Sequence, residues 1–507
     1  MSKLKEVFLH LIFGDRNIDF KKAIGAIVHS LKNSNLIKLD SPSILFFLGR
    51  WLPYSVAVGV AAGAVASFMD LIVVLINGYL SSDIILFFIY PLLVAIITGF
   101  AIKKVSETGG PGIGYSILHL LKGRQFISVK AMIYKLFVSI LALSGGFVAG
   151  REGPSFFLGI GLGEWIGRIY GFGRKYKNML GLIGGGAFTG ALLKAPLGSS
   201  IFAMEIERMY DFDYRPFMPM IVASITSYLT FSFFRGNHAF IQLEHKANWD
   251  MSTIPYIIMM GLAIASIIYF YTIIFHFFVR VSKMVPSGRR PLIGTILGLP
   301  FIFGLYYLTQ GTELLIEPAH TLQTATSTLP AIFTEGSNAT LPATASMCVA
   351  NSTSTIMSGQ EILSAPANMH ILSIMAQHSF TVWVDIAIII FIILLTSFTL
   401  GFGIPGGLIL PVLIIGTAVG NIFGHIFPDQ LIMFTLAGMG AALSAAAKTP
   451  LAAIVMITEM SHDDVVIPMT AAVIASYIAS FGYSLYLGQE NVFKGSLRDF
   501  KSRNTDE

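Results

Sequence analysis

The chain has 507 residues, of which 54% are hydrophobic and only 12% are charged. Soluble proteins carry about 25% charged residues, so this composition excludes a soluble globular protein and is typical of a polytopic membrane protein. The formal net charge is +5, and the basic residues flank apolar segments, which argues against nucleic acid as a partner. The single cysteine, Cys348, excludes an intrachain disulfide framework. No CxxC, HExxH or P-loop pattern occurs, so the sequence predicts no metal site, no cofactor and no enzyme activity.

The apolar segments predict an all-α membrane protein with many helices. Residues 1–40 are basic, and 20–37 have helical periodicity, which predicts a cytoplasmic N-terminal segment with an amphipathic helix. Several later segments are shorter than the roughly 20 residues that span a bilayer, as in transporters whose broken helices line a cavity. The predicted helices are 42–75, 83–103, a short one from 112, 129–148, 154–170, 179–193, 196–210, 216–234, 254–281, 291–308, 380–400, 405–423, 430–446, 450–460 and 465–487.

The distribution of basic residues predicts the topology. They crowd both ends of the chain and three short stretches, and none lies between Arg290 and Lys448. By the positive-inside rule both termini are cytoplasmic, in a membrane that we expect to be a bacterial inner membrane. The Ser- and Thr-rich segment 309–369 has no Lys or Arg, and we predict a polar extracytoplasmic loop. The expected domains are 1–40, a first membrane repeat at 41–235, a second at 236–488 that contains this loop, and a cytoplasmic helix and tail at 489–507.

An internal repeat divides the apolar part of the chain into two similar halves. A Pro-Leu pair is followed by a glutamate nine residues after the proline at 196–205 and again at 450–459. Upstream, a proline is followed by a glycine five residues later at 154–159 and at 411–416. Two similar halves with interrupted helices indicate a pseudo-twofold transporter whose site lies where the halves meet. The spacing alone leaves parallel and inverted repeats open.

Two ionisable residues lie at a predicted helix start inside the apolar chain. The stretch is Gly150-Arg151-Glu152-Gly153-Pro154, and proline suits the first turn of a helix. A charge at membrane depth is a functional hypothesis by default. Free N–H groups and the helix dipole form an anion site there, for which the carboxylate of Glu152 would compete. The alternative is a structural carboxylate that pairs with Arg151 or caps a helix.

Three motifs in the same order resemble those of the CLC family of chloride channels and chloride/proton antiporters. Gly150-Arg151-Glu152-Gly153-Pro154 is intact. The family's Gly-Ser-Gly-Ile-Pro is degraded to Gly110-Pro111-Gly112-Ile113-Gly114, and Gly-x-Phe-x-Pro reads Gly407-Leu408-Ile409-Leu410-Pro411. The resemblance covers about 43–497.

The resemblance implies a fold of two inverted repeats of tilted and broken helices, in a homodimer with one pore per subunit. Glu152 would be the gating glutamate, whose carboxylate occupies the anion path and swings out when protonated. Arg151 is expected to be structural more than a direct ligand. The short tail after the last helix predicts no CBS domains. The implied anion-binding residues are Gly110, Pro111, Gly112, Ile113, Arg151, Gly153, Leu408, Ile409, Leu410 and Phe493.

Departures from the family motifs make the anion preference an open question. Pro111 stands where most members have a serine whose hydroxyl contacts the central anion, and proline has neither that hydroxyl nor an N–H. Plant members with proline there prefer nitrate; the alternative is that Pro111 only starts a short helix. Gly114 and Ile409 replace a proline and a phenylalanine, which we expect to alter packing without abolishing the site. For the family's central tyrosine we favour Phe493, and Tyr486 is the alternative.

The position of the antiporters' internal proton glutamate falls on Ile206, in Ala203-Met204-Glu205-Ile206-Glu207. A hydrocarbon side chain carries no proton, although Glu207 or Glu205 could substitute after a local shift. Glu205 more simply shares a structural role with its repeat partner Glu459. We therefore expect chloride or nitrate transport that is channel-like or weakly coupled to protons. The alternative is a proton-coupled antiporter that uses Glu207 or a water relay, and a non-transporting membrane protein is a third reading. The expected partners are small monovalent anions, protons, membrane lipid and a second copy of the chain.

Overall fold

The computed structural model describes residues 47–81, 84–122, 126–145, 147–207, 215–243, 245–308, 381–486 and 489. The predicted N-terminal segment, the loop at 309–369 and the tail from 490 onward, which includes Phe493, lie outside these residues. Within the described ranges the chain is helical and forms no strand; its β-type pairing consists of two isolated bridges.

The chain divides into two units, Met1–Tyr54 and Ser55–Glu507. A short π-helical turn, Phe47–Trp51, precedes the first long helix. The α-helices of the described ranges are α1 (Leu52–Ser81), α2 (Ile84–Lys104), α3 (Gly112–Lys122), α4 (Val129–Leu143), α5 (Glu152–Ile169), α6 (Lys177–Leu192), α7 (Pro196–Glu207), α8 (Phe217–Arg235), α9 (Ile254–Ser282), α10 (Arg290–Leu308), α11 (Val382–Thr399), α12 (Ile409–Gly424), α13 (Leu431–Ala447), α14 (Pro450–Ser461) and α15 (Val466–Ala479).

Several helices are shorter than a membrane span, as the sequence predicts. Six helical spans in the described part of the chain are long and apolar enough to cross a membrane. Others are too short for that, such as α3 with 11 residues and α7 and α14 with 12 each. Short helices leave free main-chain groups at membrane depth, so they must end against protein or a polar cavity.

The two halves repeat the same helix packing. Helix α5 packs on α6 and α6 on α8, while α12 packs on α13 and α13 on α15. The α5–α6 and α12–α13 crossings are close approaches of glycines, because a Cβ atom added at any of four glycines would meet the partner helix's main chain. A stripe of small residues lets two helix backbones come this close. The four glycines are Gly159 with Gly184, and Gly416 with Gly438.

A reciprocal pair of carboxylates shows how the halves are related. Glu205, near the end of α7, accepts hydrogen bonds from the N–H groups of Leu451 and Ala452 at the start of α14 (3.1 and 2.8 Å). Glu459, near the end of α14, does the same for the start of α7, at distances of 3.1 and 2.7 Å. Each helix therefore ends beside the start of the other, so the two are antiparallel. The repeat in the sequence is an inverted one.

Two helices bordering the site differ from their predicted bounds. The helix predicted at 129–148 ends at Leu143, because both the N–H and the hydroxyl of Ser144 bond the carbonyl of Ile140 and a glycine follows. The helix predicted to begin at 405 begins at Ile409. The chain before it is held in non-helical pairing, with Gly403 at a φ of +106°.

Candidate functional site

Three main-chain segments that precede helices meet at one place: 110–112 before α3, 150–152 before α5 and 406–409 before α12. Gly150 and Gly407 form an antiparallel bridge with two N–H to carbonyl bonds, of 2.9 and 2.6 Å. One of these residues belongs to each half. The halves are therefore joined at this point by peptide groups.

The segment before α3 is held against the other two. Pro111 forms a parallel bridge with Gly406. A Cβ atom added at Gly112 would overlap the carbonyl of Gly153, so the start of α3 touches the start of α5. Gly110 has a φ of +68°, in the left-handed region that favours glycine. This conformation is the local reason for the glycine before Pro111.

The carboxylate of Glu152 lies at this meeting point. Its residue is 2% exposed, and the carboxylate accepts hydrogen bonds from the N–H groups of Glu152 itself and of Leu410 in α12. Atom Oε2 has no hydrogen-bond partner in the described part of the chain. The carboxylate fills the space that a Cβ atom would need at Gly150, and lies 2.5 Å from the Cβ position built at Gly407. It thus occupies a pocket walled by peptide groups.

The electrostatics of this pocket favour negative charge. The residues before α5 and α12, Arg151 and Leu408, make no side-chain cap to the following helix. The first N–H groups of both helices are left for another acceptor, and the helix dipoles add partial positive charge. Such an arrangement can hold an anion in place of the carboxylate.

The structure brings most of the sequence-predicted anion residues together. They lie in the three segments or in the first turns that follow them, and Ile113, Leu408, Ile409 and Leu410 are buried. Phe493 lies outside the described residues. The residues brought together are Gly110, Pro111, Gly112, Ile113, Arg151, Gly153, Leu408, Ile409 and Leu410.

Tyr486 is the described aromatic residue beside this pocket. It is 2% exposed, and its hydroxyl has no hydrogen-bond partner among the described residues. It lies close enough to Glu152 and Tyr271 for electrostatic interaction with both. Its main-chain N–H is held by the hydroxyl of Ser484 at 3.1 Å. The Tyr486 hydroxyl and Glu152 Oε2, which have no partner among the described residues, therefore belong to two buried side chains that interact electrostatically.

Arg151 is directed away from Glu152. Its Nη1 pairs with Oδ1 of Asp70 in α1, and Nε of Arg235 in α8 binds Oδ2 of the same carboxylate at 2.6 Å. Asp70 is fully buried. The alternative in which Arg151 neutralises Glu152 directly is therefore not the arrangement in the structure. Asp70 and Arg235 were missed from the sequence, although a charged residue in an apolar segment indicates a candidate functional residue.

Lys135, which was also missed from the sequence, lies beside the segment 110–112. Lys135 of α4 is fully buried, and its ammonium donates to the carbonyls of Thr108 and Gly110 at 3.0 and 2.9 Å. A buried lysine within an apolar helix is costly, and Lys135 could have been noticed from the sequence. Its charge adds to the positive potential around 110–112.

The residues considered for proton relay are buried at the end of α7. Ile206 is fully buried, and Glu207 is 4% exposed. Glu205 is 3% exposed and is engaged with the start of α14, as described above. The carboxylate of Glu205 is thus occupied by main-chain N–H groups.

Comparisons with known proteins give a consistent result. Residues 93–480 match the family model described as voltage gated chloride channel. The chain is 25% identical over 452 residues to an uncharacterized protein of Methanocaldococcus jannaschii, covering 86% of this chain and 96% of that one. It is 26% identical over 418 residues to the H(+)/Cl(-) exchange transporter ClcA of Yersinia pestis, covering 79% and 76%.

Solved structures share the fold. A CLC-type fluoride/proton antiporter superimposes with a TM-score of 0.67 at 18% identity, covering 88% of this chain and 98% of that one. A slow cyanobacterial Cl-/H+ antiporter gives a TM-score of 0.65 at 19% identity, with the same coverage.

The fold and the site define a multi-pass membrane protein of two inverted halves that transports anions, and not an enzyme. The chain belongs to the CLC family of voltage-gated chloride channels and transporters. The predicted fold class is confirmed.

Proposed function

We propose that this protein moves chloride or nitrate across the membrane through the pocket that Glu152 occupies, and that Glu152 is its gate. The observation that carries this proposal is the buried carboxylate, enclosed by peptide groups of both halves, whose Oε2 bonds no described residue. When the carboxyl is protonated it loses its attraction to the helix starts. It then swings out, and an anion takes its place against the N–H groups of α5 and α12.

We further propose that the hydroxyl of Tyr486 faces the anion on the inner side of Glu152. Its burial, its lack of a partner in the described ranges and its electrostatic interaction with Glu152 support this assignment. The hydroxyl would then donate to the anion, and not to another side chain. Phe493 is the other aromatic residue for this position, and with it the inner path would have no hydroxyl.

The charge pattern supports an orientation with both termini in the cytoplasm. Basic residues lie at the end of α2 (Lys103 and Lys104) and around the start of α6 (Arg174, Lys175 and Lys177). The positive-inside rule assigns these ends to the cytoplasmic face, as in a bacterial inner membrane. We propose a homodimer in which each subunit has its own pore.

The proposed mode is a channel or a weakly proton-coupled exchanger, because the family resemblance aligns Ile206 with the internal proton glutamate. The second candidate is a full antiporter. It is favoured by the buried carboxylate of Glu207, adjacent to Ile206, and by relatives whose names describe H(+)/Cl(-) exchange.

The test of the gate is Glu152→Gln in protein reconstituted into liposomes, with chloride efflux recorded across the pH range. A neutral amide mimics the protonated carboxyl, so we expect efflux that stays high and nearly independent of pH. Wild-type efflux should rise on acidification. Asp429→Asn, which neutralises an exposed carboxylate, is the matched control and should behave as wild type. Steep pH dependence retained in Glu152→Gln would refute the assignment.

A further inference from the structure

A second cluster of buried charges lies next to the Glu152 pocket. We call it the Asp70 cluster: Asp70, Arg151, Lys194 and Arg235. Oδ1 of Asp70 pairs with Arg151, and Oδ2 accepts from Nε of Arg235 at 2.6 Å. Lys194 interacts electrostatically with the other three, and its ammonium donates to the carbonyl of His238 at 2.7 Å. Three basic side chains therefore surround one carboxylate.

The cluster contains buried hydrogen-bond donors that bind no described residue. Atom Nη2 of Arg151 and atom Nη2 of Arg235 are buried and have no partner in the described part of the chain. The side chains of these arginines are 4% and 11% exposed. Asp70 already uses both of its oxygens, so it cannot satisfy them. A buried donor on a cation is costly when it is unpaired, and an anion would satisfy both guanidinium groups.

The position of the cluster relates it to the anion path. Arg151 immediately precedes Glu152, so the cluster adjoins the gate. Helix α6 begins at Lys177, on the face of the protein where the basic helix ends lie. It ends at Leu192, and Lys194 follows at this opposite end. Arg235 is the last residue of α8. With the proposed orientation, the Asp70 cluster therefore lies on the outer side of Glu152.

We infer that the Asp70 cluster is an outer binding site for a chloride-sized monovalent anion, held by Nη2 of Arg151 and Nη2 of Arg235 before it passes Glu152. The inference rests on the proposed anion transport and extends it by one site. Asp70 fixes the two guanidinium groups, and its negative charge keeps the affinity low enough for release. Lys194 adds to the local positive potential without contacting the anion.

The first test is crystallography of the full-length protein in bromide, using its anomalous scattering. We expect a bromide peak between the two Nη2 atoms in the wild type and its loss in Arg235→Gln. In crystals grown at acidic pH, where the Glu152 carboxyl is protonated and has left the pocket, peaks at the starts of α5 and α12 should persist in both. A wild-type map with bromide at the helix starts and none at the cluster would overturn the inference alone. A protein without bromide at either place and without anion flux would overturn the proposed function as well.

The second test is chloride flux with the concentration varied on one face at a time. Loss of one hydrogen bond from a charged group is expected to raise the half-maximal outer chloride concentration about tenfold in Arg235→Gln. The half-maximal inner concentration should not change. Arg235→Lys should recover part of the loss, and Arg168→Gln, which removes an exposed positive charge from α5, should match wild type. An unchanged outer value in a correctly folded Arg235→Gln would contradict the inference.

Discussion

Neighbouring residues of opposite charge serve different partners in this site. Arg151 reaches Asp70 in α1, whereas the carboxylate of Glu152 contacts the N–H of Leu410 in the other half. If the two side chains were paired with each other, the carboxylate would be held in a low-energy ion pair and could not leave on protonation. In the proposed mechanism, their separation leaves Glu152 able to act as a gate.

The assignment of Tyr486 can be tested by removing only its hydroxyl. If the hydroxyl donates to the anion, Tyr486→Phe should weaken chloride binding about threefold to tenfold, which corresponds to one hydrogen bond. Titration calorimetry on detergent-purified protein would measure this. Tyr170→Phe, at an exposed tyrosine, is the control. Equal affinity in Tyr486→Phe and wild type would favour Phe493 for the central position.

Pro111 offers a test of anion preference. Pro111→Ser adds a hydroxyl and an N–H beside the path, so we expect the permeability of chloride relative to nitrate to rise severalfold. Pro111→Ala restores the N–H without the hydroxyl and separates the two contributions. Currents under bi-ionic conditions would report the ratio. An unchanged ratio in both variants would mean that Pro111 only starts α3.

At the residue scale, the sequence motifs identified more residues of the candidate site than the isolated charges did. The residues of the three glycine-containing motifs meet as the family resemblance implies. Lys135, Asp70 and Arg235 were missed because each lies in an apolar helix, and their partners come from other segments of the chain. The rule that every intramembrane charge needs a partner would have identified these three residues. It could not have predicted which partner each one binds.

At the scale of elements, α7 and α14 cap one another. Each supplies a glutamate to two N–H groups at the start of the other, at a place where a buried helix end would otherwise leave donors unsatisfied. The spacing of nine residues from proline to glutamate predicted a shared role for Glu205 and Glu459. It could not predict that each carboxylate serves the opposite helix, because that depends on the antiparallel packing of the pair.

The reciprocal caps predict matched effects on stability. Glu205→Gln and Glu459→Gln each replace a charged acceptor at a helix start by a neutral one, which should cost about 1 kcal/mol apiece. The melting temperature of the purified protein should fall by a similar amount in both. Asp429→Asn is again the control. A fall in only one of the two variants would contradict equivalent roles.

Helix bounds near the site were predicted less well than the helices themselves. Apolar composition marks α4 and α12 clearly, yet both bounds toward the site moved inward from the predicted 148 and 405. There the main chain leaves the helix to pair with the other half. Hydrophobic pattern does not carry information about such long-range pairing.

At the scale of the whole molecule, a measurement of the zero-current potential distinguishes a channel or weakly coupled exchanger from a full antiporter. With fixed chloride concentrations and a pH gradient, we expect a potential that follows chloride and shifts little with the proton gradient. The physical reason is that Ile206 cannot carry a proton. Ile206→Glu should increase the shift. A large shift in the wild type that Glu207→Gln abolishes would instead establish the antiporter alternative.

The bridge between Gly150 and Gly407 has a consequence for how the protein can change over generations. Both of its hydrogen bonds are made by peptide groups, so the only amino-acid exchange that deletes one is to proline, which has no N–H. Any other exchange acts through added bulk, as at Gly407, where a built Cβ atom lies 2.8 Å from the N of Gly153. Side chains around the pore can therefore change in chemistry while the bridge between the two halves keeps its geometry.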